Sequence, residues 1–332
     1  MAVKVGIPRA LLYYYYYPMW RTFFESLGAE PVVSPATTKT ILEKGLSKTV
    51  DEACLPVKLA VGHVLDLAPK VDFLFLPRLV SVAPGEYICP KFMGFPCMVK
   101  QTLPGLPPVI DTCVNMYSPG NSLYRVFSEV GRRFTRNPLT VYRAWRRAEK
   151  VSVRYMARLE SGQLPREAMR DLEGAGGTGD APGEKGLKVA VIGHPYNIYD
   201  PYISMNVIKR LTGQGVRVLT PEGIPGETVR HRAAALPKKL FWTMGQRMIG
   251  AAFHYIHDLK VDGIIHVASF GCGPDSMTGE LIERYSRRVG TVPFLNLTLD
   301  EHTGEAGVVT RLEAFLDMIS WRGGKTGMVV MG

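Results

Sequence analysis

Lys188-Val-Ala-Val-Ile-Gly-His-Pro195 is a short apolar strand pattern that ends on glycine and hands a histidine and a proline to the next segment. A strand with no polar alternation is buried on both faces, which predicts a parallel sheet covered by helices. Val3-Lys-Val-Gly-Ile-Pro8 has the same form, and the sequence after each stretch also corresponds. The first is followed by an aromatic run, Pro18, a helical pattern closing at Leu27-Gly28, and Pro31-Val-Val33. The second is followed by Tyr196, Tyr199, Pro201, a helical pattern closing near Leu211-Thr-Gly213, and Val216-Arg-Val218. Lys70-Val-Asp-Phe-Leu-Phe-Leu-Pro77 then matches Lys260-Val-Asp-Gly-Ile-Ile-His-Val267. Each precedes a cysteine segment, Tyr87-Ile-Cys89-Pro90 in the first half and Ser269-Phe-Gly-Cys272-Gly-Pro-Asp-Ser276 in the second.

The match is one of pattern more than identity, and it predicts an internal duplication. In the first half, strands are expected at 3–7, 31–34, 73–76 and 108–111, with helices at 18–27, 38–45 and 53–67. In the second, strands are expected at 189–192, 216–219, 263–267 and 293–297, with helices near 203–211, 240–258, 279–289 and 304–321. Strand-helix alternation of this kind gives a doubly wound α/β domain. The expected organisation is a Rossmann-like domain over 1–122, a basic helical connection over 123–160, a flexible Gly/Pro-rich linker over 161–186, and a second Rossmann-like domain over 187–332. Such sheets bind ligands outside the carboxyl ends of their strands. Both cysteine segments, His194 and Asp300 follow strands, which points to a metal site in the cleft between the domains.

The chain of 332 residues is 46% hydrophobic and 21% charged, an ordinary globular balance with room for two cores. No apolar run approaches the roughly 20 residues of a membrane span. The N-terminus enters directly into a strand pattern with no leader-like segment, so the expected location is the cytoplasm. The net charge of +10 is concentrated between Arg125 and Arg158, on a helical pattern whose apolar positions are Val126, Val130, Val141, Trp145 and Met156. A basic helical face is ordinarily a solvated one. No nucleic-acid-binding motif accompanies it, and an acidic protein partner fits better.

Five cysteines in a long chain argue against a disulfide framework and leave metal binding or thiol chemistry, with buried apolar packing as the alternative for each. Asp51-Glu-Ala-Cys54-Leu-Pro-Val-Lys58 places Cys54 at a helix start, where the dipole favours a thiolate or an anionic cluster. Cys54, Cys89 and Cys272 form no Cys-x-x-Cys knuckle, against a zinc ribbon. Widely separated cysteines suit a bulkier cluster, so an iron-sulfur centre and a set of structural thiols both stay open. Pro90, Gly271 and Gly273 are turn formers that would also let backbone N–H groups approach an inorganic core. Asp275 and Ser276 are expected as helix caps. Cys97 and Cys113 are expected as buried or half-buried thiols.

His194, Tyr196 and Asn197, with Asp200, are candidate proton donors or polar anchors, a hydrogen-bonded turn histidine being the alternative. Leu299-Asp-Glu-His-Thr-Gly-Glu305 sets acids and a histidine after a strand, with Glu305 a further catalytic candidate and Thr303 a helix cap. His254 and His257 are expected to pack, and the aromatic run 13–17 to wall a cleft or begin a buried helix. Neither a phosphate-binding Gly-x-x-x-x-Gly-Lys-Ser/Thr loop nor a Gly-x-Gly-x-x-Gly helix start is present.

Several motifs together resemble one family: Gly6-Ile-Pro-Arg-Ala-Leu-Leu-Tyr13, Asp51 to Lys58, Glu86-Tyr-Ile-Cys-Pro-Lys-Phe92, Gly193-His-Pro-Tyr-Asn197, Phe270-Gly-Cys-Gly-Pro-Asp-Ser276 and Asp300-Glu-His-Thr-Gly-Glu-Ala-Gly307. The chain resembles the acyl-CoA dehydratase activase-related proteins, relatives of the 2-hydroxyacyl-CoA dehydratase component and of double-cubane cluster proteins. The resemblance implies Rossmann-like domains and a 4Fe-4S cluster held by Cys54, Cys89 and Cys272, with one iron left open or bridged by sulfide to a second cubane. It also implies an anaerobic, oxygen-sensitive homodimer for low-potential electron transfer or reduction of a small-molecule substrate, fed by an ATP-hydrolysing iron-sulfur activator. The chain lacks the fused actin-like ATPase module of longer members and any dedicated CoA-binding motif. The alternatives are a 2-hydroxyacyl-CoA dehydratase-type subunit and a non-catalytic cluster carrier.

Overall fold

A computed structural model of the chain describes residues 2–174, 186–259, 261–289 and 292–322. The chain divides into two compact units: Met1–Leu159 with Leu164–Gly176 and Phe241–Thr243, and Glu160–Gln163 with Gly177–Leu240 and Met244–Gly332. Among the described residues no helix is long and apolar enough to cross a membrane.

The first unit runs β1 (Lys4–Ile7), α1 (Tyr13–Ser26), β2 (Glu30–Val33), α2 (Lys39–Leu46), α3 (Leu55–Leu67), β3 (Phe73–Phe75), β4 (Arg78–Ser81), α4 (Pro90–Thr102), β5 (Val109–Ile110), β6 (Cys113–Asn115), α5 (Leu123–Gly131), α6 (Pro138–Glu160) and α7 (Pro165–Leu172). Its main sheet has the order β2-β1-β3-β5, all parallel. The separate pair β4-β6 keeps the offset of the β3-β5 ladder, so it continues the same two strands. Pro77, which has no N–H to give, interrupts the ladder between them.

Helix α1 starts five residues before the expected position and carries Pro18 inside it. A proline there deletes the helical bond to the carbonyl of residue 14. That carbonyl instead accepts a hydrogen bond from Tyr155 Oη of α6 at 2.6 Å, which is how the aromatic run remains helical. Trp20 packs against Phe127 and Phe75, each with ring centroids 4.4 Å apart, and so joins α1, β3 and α5. Val126, Val130 and Val141 are buried beside them, whereas Arg132, Arg133, Arg136, Arg143 and Arg147 are exposed.

The second unit runs β7 (Lys188–Gly193), α8 (Pro195–Ile198), α9 (Val207–Gly213), β8 (Arg217–Leu219), α10 (Gly226–Ala233), α11 (Thr243–His257), β9 (Gly263–Ser269), α12 (Gly273–Val289), β10 (Phe294–Leu299) and α13 (Glu305–Arg322). Its parallel sheet has the order β8-β7-β9-β10, so second, first, third and fourth strands stand as in the first unit. The shared order is what the repeated sequence pattern predicts for two Rossmann-like α/β sheets. Alternate residues of β7 and β9 feed opposite cores. Val189, Val191, Ile265 and Val267 face α9 and α13, while Ala190, Ile192 and Ile264 face α11 and α12.

Three expectations shift. The helix expected at 203–211 begins only at Val207, because Asp200 Oδ1 accepts the main-chain N–H groups of Tyr202 and Ile203 and holds a turn there. The helix expected from 279 begins at Gly273. Of the expected linker 161–186, residues 175–185 lie outside the described residues, and the part before them contains α7, tied to α6 by Arg158 and Asp171 at 2.9 Å. Lys260 and residues 323–332 of the expected second domain also lie outside the described residues.

Candidate metal and proton-transfer site

In the second unit the strand order reverses between β7 and β9, and the crevice outside the carboxyl ends of those strands is the usual ligand position. His194 directly follows β7 and caps the short helix α8, with Pro195 after it. After β9 the chain turns sharply: the Cys272 N–H donates to the Ser269 carbonyl at 3.1 Å, with Gly271 at φ +75°. A positive φ at the third position of such a turn selects glycine. The turn delivers Cys272 to the residue immediately before α12, whose first turn contains Pro274 and Asp275.

Candidate ligand atoms of His194, Cys272 and Asp275 therefore lie within 4.8 Å of one another. His194 Nε2 is 3.0 Å from Asp275 Oδ1. The other carboxylate oxygen, Oδ2, accepts from Asn197 Nδ2 at 3.1 Å and from the Ser269 N–H at 3.4 Å. Ser269 Oγ donates to Asn197 Oδ1 at 2.7 Å and so orients the amide. Asn197 and Asp275 are fully buried, His194 is 4% exposed, and the Tyr196 ring covers the imidazole at 5.0 Å between centroids. Asp275 Oδ1 and His194 Nδ1 are buried without a hydrogen-bond partner. Buried polar atoms are nearly always satisfied, so these two mark a place prepared for something else. Nitrogen, sulfur and carboxylate oxygen together suit a borderline metal ion or a metal cluster.

Behind this group His266, on β9, presents Nδ1 to Asn296 Oδ1 at 3.0 Å, while its Nε2 is buried and unpartnered. Burial pushes its pKa down against the opposing pull of Asp275, so the ring is neutral near pH 7.

Sequence reasoning singled out His194, Tyr196, Asn197 and Cys272, and the structure brings these four together. It missed His266, whose signal was a lone histidine inside the buried strand Gly263–Ser269. Asp275 is a correction: it is an inward acceptor within the first turn, because its carboxylate turns toward Asn197 and the Ser269 amide and away from the helix end. Ser276 Oγ donates back to the Cys272 carbonyl. Gly271 and Gly273 are exposed around Cys272. Glu305 opens α13, is exposed and pairs with Arg210. Thr303 closes a turn with Asp300, their side chains 2.7 Å apart, and this bond holds the Asp300 carboxyl below its usual range. His254 and His257 pair separately, with Asp258 and Tyr285.

In the first unit Cys54 is the N-cap residue of α3 and Cys89 the N-cap residue of α4, with Pro56 and Pro90 in the first two helical positions. Neither cysteine side chain caps its helix. Cys54 belongs to the buried cluster that α3 shares with β3 and α4. The strand expected before Cys89 is reduced to one parallel bridge, Tyr87 to Trp242. Cys97 and Cys113 are exposed, contrary to expectation. Cys97 lies on the outer side of α4, where Arg78 Nη2 donates to its sulfur at 2.9 Å, and Cys113 lies on the short β4-β6 pair. All three candidate metal cysteines thus hold one position, the residue just before a helix with proline in its first two places.

The family model of the CoA enzyme activase uncharacterised domain matches residues 4–224. The chain belongs to this family. No curated protein matches it. The part of this CoA enzyme activase chain that the family model covers contains Cys54, Cys89, His194 and Asn197, and it ends before Cys272 and Asp275.

Proposed function

We propose that the chain is an oxygen-sensitive iron-sulfur protein that holds a 4Fe-4S cluster, single or as part of a double cubane, through Cys54, Cys89 and Cys272. On this reading it transfers electrons at low potential or reduces a small molecule, and a separate ATP-hydrolysing activator supplies the electrons. The observation that carries the reading is the shared placement of those cysteines at the head of proline-started helices, with backbone N–H groups at hand for an anionic centre. The buried, unpartnered Asp275 Oδ1 and His194 Nδ1 beside Cys272 support the fit. A bound cluster would supply one-electron transfer. The chain's own contribution is a dry polar wall: Asn197 and Ser269 fix the Asp275 carboxylate, and His194 stands 3.0 Å from it as a proton carrier.

The test is iron and acid-labile sulfide per chain after anaerobic purification, with electron paramagnetic resonance of the reduced sample. About four irons with comparable sulfide are expected. Serine in place of Cys54, Cys89 or Cys272 should remove or alter the signal, and serine at Cys97 or Cys113 should leave it intact. A normal cluster in the first three variants would sink the assignment. A single divalent ion on His194, Cys272 and Asp275 is the second reading, favoured by their mutual spacing. It predicts one metal and no sulfide, retained in Cys54→Ser and lost in His194→Ala.

A further inference from the structure

The strand order of the first unit reverses between β1 and β3, the counterpart of the β7/β9 position, and here the unit contains a cavity. Its volume is about 90 Å³, and its walls include Leu11, Tyr13, Tyr17, Trp20, Ala60 and Phe95. We infer that this cavity binds a small carboxylate with a short branched apolar tail, whose charge is met by Arg9. This binding site is independent of the iron-sulfur reading.

The tail follows from size and lining. At roughly 30 Å³ for each water-sized group, the space holds about three, the bulk of an isopropyl or isobutyl tail. Water there would find few of the polar partners it needs, since the walls are apolar and aromatic. Burial raises the Tyr13 hydroxyl to about 12, so the phenol brings no negative charge to the wall.

The charge follows from Arg9, which sits in sequence between the lining residues Pro8 and Ala10. Its guanidinium lies 5.6 Å from the Tyr13 ring centroid. Its main-chain N–H is fixed by Ser34 Oγ at 2.8 Å, and its Nε is buried without a hydrogen-bond partner. Among the described residues Arg9 has no carboxylate partner. The nearby His63 is fully buried and neutral, hydrogen-bonded through Nε2 to Thr37 Oγ1 at 3.0 Å, so it cannot balance the cation. A guanidinium in this position is an incomplete ion pair, and a carboxylate completes it with two-point geometry. Leu11, in the wall, holds φ +54°, a conformation unfavourable for a branched residue and typical of ligand clamps.

The experiment titrates the full-length chain with 3-methylbutanoate, acetate and 3-methylbutan-1-ol, by calorimetry and by the fluorescence of the tryptophans. The branched acid should bind, and both the tail-less acid and the uncharged alcohol should bind about thirtyfold more weakly or worse, as expected when one partner of a buried charge pair is missing. Arg9→Gln should erase the preference for acid over alcohol, and Ala60→Leu, which fills the cavity, should abolish binding of both. Because Ala60→Leu crowds a packed helix, the Arg9→Gln comparison stands alone if that variant does not fold. No binding of 3-methylbutanoate at millimolar concentration, equal binding of acid and alcohol, or an unchanged acid preference in Arg9→Gln would each overturn the inference.

Discussion

Replacing Asp275 by alanine removes the acceptor at the centre of the polar group in the second unit. Two donors depend on it, Asn197 Nδ2 at 3.1 Å and the Ser269 N–H at 3.4 Å, and His194 Nε2 stands 3.0 Å from the other oxygen. All four residues are at most 4% exposed, so water cannot replace the lost bonds. Each buried donor left unsatisfied costs about 1–3 kcal/mol, with the long Ser269 contact at the low end. Together with the loss of a buried charged partner, the expected destabilisation is about 3–5 kcal/mol. Asp275→Asn keeps the shape, and its amide oxygen can retain both bonds of Oδ2, so about 1 kcal/mol is expected for it. Hydrogen exchange of metal-free protein reads the difference locally, in peptides covering β7 and β9. Since about 1.4 kcal/mol is tenfold in an equilibrium, exchange in Asp275→Ala should accelerate by about two to three and a half decades. Exchange within a few-fold of the wild type in Asp275→Ala, or equal damage from asparagine and alanine, would refute the reasoning.

Two further perturbations probe the first unit. A Cβ on Gly62 of α3 would stand 2.0 Å from the Ile41 carbonyl oxygen of α2, and one on Gly45 would stand 1.9 Å from the Lys58 carbonyl oxygen. Gly62→Ala must push these helices apart, and a loss of about 3 kcal/mol in urea unfolding is expected, whereas an unchanged midpoint would contradict the close approach. His63 has its pKa lowered from 6.5 to about 4, chiefly by burial and then by the Arg9 charge. The unfolded chain therefore binds the extra proton first, so this contribution is whole above about pH 6.5 and is lost as pH falls toward about 4, by about 3 kcal/mol at most. His63→Gln should flatten the stability profile across that window, and an equally steep profile in the variant would show that other groups cause it.

The sequence alone determined the features that depend on local pattern. Apolar strands without alternation, proline at helix starts and glycine at turns are decided within a few residues, so the parallel α/β class, the repeated strand order and the helix-head cysteines were legible. Tertiary structure decided what depends on distant partners. Pro18 stays inside α1 because Tyr155, far along the chain, accepts the role of its missing donor at the Tyr14 carbonyl. Asp275 reads as a helix cap by position, yet it is an inward acceptor because Asn197, 78 residues earlier, meets it there. His266 and Arg9 carried no motif, and only packing placed their unpartnered nitrogens in the interior. Periodicity encodes which face of an element is buried; which polar atoms then face one another is set by how strands and helices close over them.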